Sequence, residues 1–250
     1  MYSKSINAII SAVRTLFSNR RSLLLIVAVY TGLLAVIYLF VSTREATISQ
    51  LLLTLITVIA APALFFVLQA AIVSSHNLIK NALKLIVVSV PVIGLTVLAV
   101  YGLNKLETHP TIVTTVRYLL LAVIVPLLVI QLWITVTNGR MRVRNVLANA
   151  FAPQSVFVYA CGFLIFAVVP YLLLHKTMSS SRPWLELSLL VGRLGLSALL
   201  ILLGWVLTVR ALSILNCRGG TPWPPQSYEE GLLRRRGGHR VPPLQSNNRA

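Results

Sequence analysis

The chain has 250 residues, 57% of them apolar and 11% charged, with 22 Lys and Arg against five acidic residues and a net charge of +17. Soluble domains are about 45–50% apolar and about 25% charged, so a mean hydropathy of +0.84 excludes a water-soluble globular protein. A net charge of this sign can point to nucleic acid as partner, but the placement of the cations argues against one. The basic residues lie mainly beside apolar runs, where they orient a chain in a bilayer or meet anionic headgroups.

The first segment, Ser5 to Ser18, reads as an amphipathic helix. Ile6, Ile9, Ile10, Val13 and Phe17 recur at helical spacing, with Asn7, Ser11, Arg14 and Ser18 on the opposite face. Arg20 and Arg21 precede the apolar run Ser22–Val41, which is too long for a signal-peptide core and lacks a small-x-small cleavage site; it is expected to be a retained first span. Further runs follow at about Ile48–Val73, Leu85–Leu103, Tyr118–Thr137, Ser155–Leu174 and Leu187–Leu215. In hydrocarbon the backbone must bond to itself, so these segments are expected to be helices. The last run is long and contains Arg193 and Arg210, so either it tilts or the span proper begins near Leu194.

Orientation follows from the cations. Lys4, Arg14, Arg20, Arg21, Lys80, Lys84, Arg140, Arg142 and Arg144 fall on one side, together with Arg210 and the Arg residues of the tail. Arg44, Lys105, Arg117, Lys176 and Arg182 fall on the other. This asymmetry predicts an even number of spans with both termini cytoplasmic, in a membrane expected to be the bacterial inner membrane. From Asn216 the composition turns to Gly, Pro, Arg and Ser. Residues 1–215 are therefore expected to form a six-helix transmembrane domain, and residues 216–250 a disordered cytoplasmic tail.

A short unit recurs before the odd-numbered spans: Asn7-Ala-Ile-Ile-Ser-Ala-Val13, Asn77-Leu-Ile-Lys-Asn-Ala-Leu83 and Asn145-Val-Leu-Ala-Asn-Ala-Phe151. Tyr38, Tyr101 and Tyr171 stand at the far ends of those same spans, at the depth of an aromatic belt. The predicted fold is all-α and polytopic: three transmembrane hairpins, each led by a cytoplasmic amphipathic segment. Ile9, Ile79 and Leu147 are expected to share an apolar face with the Ala and the residue that close each unit.

Residues able to carry chemistry are few. Arg193 lies within an apolar run, where an ionisable group is by default a candidate site; its bland reading is an interfacial side chain that snorkels. Arg140, Arg142, Arg144, Arg234, Arg235 and Arg236 are candidates for anionic lipid or ligand contact. Pro62, Pro91, Pro126 and Pro170 break helical hydrogen bonds in spans two to five, either for packing or to bare carbonyls along a pathway. Gly192, Gly195, Gly204, Ser188 and Ser197 read as close-packing positions. Cys161 reads as a packing residue, and Cys217 stands just past the last run. Glu107 and His109 are too few for a zinc site, and no cofactor is expected. Spans one to five carry no acid to serve as proton relay or general base, and the hydrolase and phosphate-loop motifs are absent. An enzyme is not expected.

Ala12-Val-Arg-Thr-Leu-Phe-Ser-Asn-Arg-Arg21 and the two later Asn-Ala units, set before odd-numbered spans of a six-helix chain, resemble a loose group of mostly bacterial membrane domains of unknown function. Some of that group are similar to the membrane domain fused to glycerophosphodiester phosphodiesterases. The resemblance covers residues 5–215, implies architecture and carries over no catalytic residue. The function expected is a non-enzymatic membrane protein that organises lipids or partner proteins through its basic cytoplasmic face. A small transporter or channel component using the proline-broken helices is the alternative.

Overall fold

The structure is a computed structural model that describes residues 2–43, 47–73, 77–105, 110–137, 143–176 and 183–217. Among these residues there is no strand, and six helical stretches are long and apolar enough to cross a membrane. The protein is an all-α polytopic membrane protein. Helix α1 (Tyr2–Ser18) ends where Asn19 leaves helical geometry and its side chain caps α2 (Arg20–Ser42), accepting from the Ser22 N–H at 3.1 Å. The second span is α3 (Ile48–Val73) and the third is α4 (Leu78–Lys105).

The fourth span is composite: α5 (Pro110–Leu119), a π-helical turn (Leu120–Ile124) and α6 (Val125–Thr137). The fifth repeats that construction after the short helix α7 (Val143–Ala150), with α8 (Pro153–Phe163), a π-turn (Leu164–Val168) and α9 (Val169–His175). In both spans a proline, Pro126 or Pro170, stands two residues beyond the wide turn. Proline has no N–H and its ring collides with the carbonyl four residues back, so widening the preceding turn relieves the clash. The sixth span, α10 (Pro183–Cys217), is one unbroken helix of 35 residues, roughly 52 Å long. The helix runs through Leu194 without a break and is longer than a hydrocarbon core of about 30 Å.

The starts of α2, α4 and α8 and the ends of α3, α6 and α10 lie at one end of the bundle, called the basic end below. Nearly all buried residues lie toward it: Leu68–Ile72 of α3, Ala82 and Leu85 of α4, Leu127–Ile134 in part, Val158 and Tyr159, and Leu202–Leu212 in part. Tyr38, Tyr101 and Tyr171 are exposed at the opposite end, as expected of an aromatic belt.

The three repeated units differ in connection but agree in what they bury. Units one and three are separate helices. Unit two is fused to its span as the first turns of α4, entered through Asn77 at φ 54°, a left-handed conformation that Asn tolerates. The second unit, expected as an amphipathic segment leading its hairpin, is therefore corrected to a continuous part of α4. Ala12, Ala82 and Ala150 are buried in all three units, with Ala8 and Val146 buried and Leu78 half-buried one turn before them. The residues expected to join them are not on that face: Ile79 and Leu147 are exposed and Ile9 is half-buried.

Helix α1 carries this arrangement at greatest length, in three stripes. Ser5, Ala8, Ala12 and Leu16 face the bundle, essentially fully buried. Ile6, Ile10 and Phe17 form an exposed apolar stripe, and Lys4, Asn7, Arg14 and Ser18 an exposed polar one. A helix with one face on protein, one apolar and open, and one charged suits the plane of a membrane interface.

Candidate functional site

Polar groups on the apolar helices gather around the half of α10 nearest the basic end. Four aromatic side chains tie neighbouring helices together with their polar atoms. Tyr30 of α2 donates to the Ala198 carbonyl of α10 at 2.9 Å, and the Trp205 indole N–H of α10 donates to Gln69 Oε1 of α3 at 2.9 Å. The Trp133 N–H of α6 donates to Ser89 Oγ of α4 at 2.9 Å, and the Tyr159 hydroxyl of α8 to the Ala122 carbonyl at 2.6 Å. Rings support these links: Phe166 meets Trp205 edge-on at 5.4 Å, and Phe65 and Phe66 flank Trp133.

Two glutamines among these groups are fully buried, Gln69 and Gln131. Gln131 Oε1 accepts from the Asn216 amide. The side-chain nitrogens of both glutamines lack a partner among the described residues. For Gln69 that orientation is forced, since an indole N–H can only donate and the amide must present its oxygen to Trp205. Gln131 faces another amide, so exchanging N and O in both residues preserves that bond.

Among the described residues, Arg210 is the cation that reaches inside this half of the bundle. It is half-buried on α10 and donates to Ser22 Oγ at 2.9 Å. Ser22 is the third residue of α2 and is itself buried. Sequence reasoning counted Arg210 with the basic flank, although the rule that singled out Arg193 applied to it equally: Val209 and Ala211 beside it are apolar and fully buried.

The residues singled out from sequence do not assemble into one place. Arg193 lies toward the opposite end of α10, half-buried, and donates from Nη2 to the Lys176 carbonyl. It stands twelve residues from Trp205, roughly 18 Å of helix. Arg140, Arg142, Arg234, Arg235 and Arg236 lie outside the described residues, as does the side chain of Arg144. Among other polar residues of the spans, Thr54, Thr57, Thr96 and Thr135 bond back to carbonyls of their own helices. Of the small residues on α10, Gly204 and Ser197 are buried, whereas Gly192 and Gly195 have open space where a side chain would be. No cluster able to hold a metal occurs among the described residues. An open, mostly apolar cleft of about 550 Å³ lies where the start of α1 meets the α7–α8 break, lined by Ser5, Phe151, Gln154 and Phe157 among others.

Comparison with family models, curated proteins and solved structures finds no match.

Proposed function

We propose that the protein is a non-enzymatic membrane protein that organises anionic lipids, or partner proteins, through the basic end of its bundle, with that end and both termini cytoplasmic. The observation that carries this is the three-striped α1. Its cations cannot turn away from the interface, because its opposite stripe is locked into the core by Ala8, Ala12 and Leu16. Arg20, Arg21, Lys80 and Lys84 are exposed at the same end, and each cation near an anionic leaflet contributes about 1 kcal/mol of attraction. The likeness to membrane domains fused to phosphodiesterases is part of this proposal as a likeness of architecture.

The test is lipid enrichment around the full-length protein in nanodiscs of mixed phosphatidylglycerol and phosphatidylcholine. Wild type should enrich phosphatidylglycerol in a salt-sensitive way, and the combined variant Lys4→Gln, Arg14→Gln, Lys80→Gln, Lys84→Gln should enrich it less. Equal lipid composition inside and outside the protein's boundary layer sinks the reading.

The alternative, a small transporter or channel component, has one observation in its favour: Gln69 and Gln131 are fully buried amides whose bonding is incomplete among the described residues. Against it, Arg193 is remote from both and the threonines bond to their own backbones. Substrate-independent ion leak through reconstituted protein, absent from empty liposomes, would favour this alternative.

A further inference from the structure

Among the described residues the half-buried guanidinium of Arg210 has no counter-charge beside it. Among the described residues Ser22 Oγ is the acceptor it reaches, and a neutral hydroxyl leaves most of its five N–H donors and all of its charge unmatched. The chain has no Asp, and Glu186 is the one carboxylate among the described residues. Glu186 stands 24 residues earlier on the same helix, roughly 36 Å away. An unpaired cation in a partly desolvated position is unfavourable, and chains retain one chiefly where something anionic meets it.

The surroundings identify the chemistry. Arg210 stands seven residues before the end of α10 at Cys217, roughly 10 Å in from the helix end. Its partner Ser22 belongs to the first turn of α2, and the positive end of a 23-residue helix dipole therefore points at the same spot. Asn19 already satisfies the N–H groups of Ser22 and Leu23, fixing that turn in place. Arg20 and Arg21 are exposed beside it. Leu16 of α1 belongs to the same core cluster as Val209, Ala211 and Leu212. A planar guanidinium, a serine hydroxyl and a helix start with flanking arginines match a tetrahedral oxyanion that accepts several hydrogen bonds at once.

We propose that the corner between Arg210 and the start of α2 is a discrete phosphate site, taking the phosphate of one anionic molecule. This rests on the reading of the basic end as lipid-facing, but it differs from the diffuse attraction of the exposed cations in being a single site with defined stoichiometry.

The experiment is native mass spectrometry of the full-length, delipidated protein titrated with phosphatidylglycerol, phosphatidylcholine or inorganic phosphate, with thermal stability as parallel readout. Wild type should hold one phosphatidylglycerol at an activation energy that strips phosphatidylcholine. Arg210→Gln should weaken that single adduct about tenfold or more, and Arg210→Lys should restore part of it. Ser22→Glu supplies a carboxylate to Arg210 in place, so it should fold at least as stably and still lose the adduct. That variant decides the matter if Arg210→Gln does not fold. The four-site variant Lys4→Gln, Arg14→Gln, Lys80→Gln, Lys84→Gln should keep the single adduct while losing diffuse enrichment, which separates failure of this site from failure of the broader reading. Stabilisation by inorganic phosphate alone, lost in Ser22→Glu, would assign the site to a free phosphate rather than a headgroup. Undiminished phosphatidylglycerol retention in Ser22→Glu, or no response of wild type to either ligand, overturns the proposal.

Discussion

The hydroxyl of Tyr159 donates to the carbonyl of Ala122 at 2.6 Å, and Ala122 is the residue four positions before Pro126. The carbonyl that proline leaves without its helical donor is therefore bonded by a side chain from another span. The bared oxygen thus has a donor within the bundle. Tyr159→Phe should lower stability by about 1 kcal/mol, the usual net worth of such a bond. In a Pro126→Ala background, where the backbone N–H returns, the same substitution should cost clearly less. Equal losses in both backgrounds, measured by reversible unfolding in mixed micelles, would refute the coupling.

The last hairpin depends on two glycines. A β-carbon on Gly162 would overlap the Thr208 side chain, and one on Gly204 would come within 2.9 Å of the Phe166 backbone nitrogen. Gly204→Val should destabilise by about 1–3 kcal/mol through overpacking. Gly192→Ala, with nothing near it, should be neutral or slightly stabilising through helix propensity. Thermal melts of the purified variants check this, and a neutral Gly204→Val would show that the close approach of α10 to the fifth span is wrong.

Trp205→Phe should be worse than loss of one hydrogen bond. It leaves the buried Gln69 amide with neither donor nor acceptor satisfied, a penalty of about 1–3 kcal/mol beyond the lost packing. Adding Gln69→Met should recover part of that loss, since removing both partners is gentler than removing one. A double variant less stable than Trp205→Phe alone would mean that Gln69 has another role in the bundle.

Arg193→Leu should insert and fold normally. Its guanidinium reaches a loop carbonyl, Lys176 O, rather than a buried partner, and interfacial contacts of this kind are worth under about 1 kcal/mol. Yield and monodispersity matching wild type are expected. Normal yield with loss of anionic-lipid enrichment would instead reveal a functional role.

Topology is testable with single cysteines after replacing Cys161 and Cys217. A cysteine at position 107 should react with an impermeant reagent added to intact cells, and one at position 142 should be protected. The reverse pattern at either position would invert the proposed orientation.

Much of the architecture was legible in sequence, because length and hydropathy alone distinguish a span from a core helix. The close packing of Ala12, Ala82 and Ala150 was legible too. What could not be read is which face of each span meets protein. In water the apolar stripe of a helix marks its buried side, but lipid is as apolar as a core, so Leu189 and Leu199 stay exposed while Leu202 and Leu212 do not. The informative residues were small or polar ones whose partners lie far away in sequence, such as Gly204 with Phe166 or Trp205 with Gln69. Arg210 was overlooked because its nearness to the tail made it look like part of the flank, and only the position of Ser22 reveals the corner it occupies. The second repeat unit was misjudged because nothing in its residues distinguishes a helix lying beside a span from one continuing it.

Packing concentrated at a single end also has a mechanical consequence. The helices are clamped together at one leaflet, and beyond about Val90 of α4 and before about Ser197 of α10 their side chains are largely open. Such a molecule resembles a hand held at the wrist: the grip is fixed, and the fingers are free to lean. When the bilayer thins or thickens, the opposite-end segments can change their tilt without disturbing the clamped contacts. Amide exchange should then be slow in Leu68–Ile72 and Val206–Leu212 in any bilayer, and should vary with acyl-chain length only in the free segments.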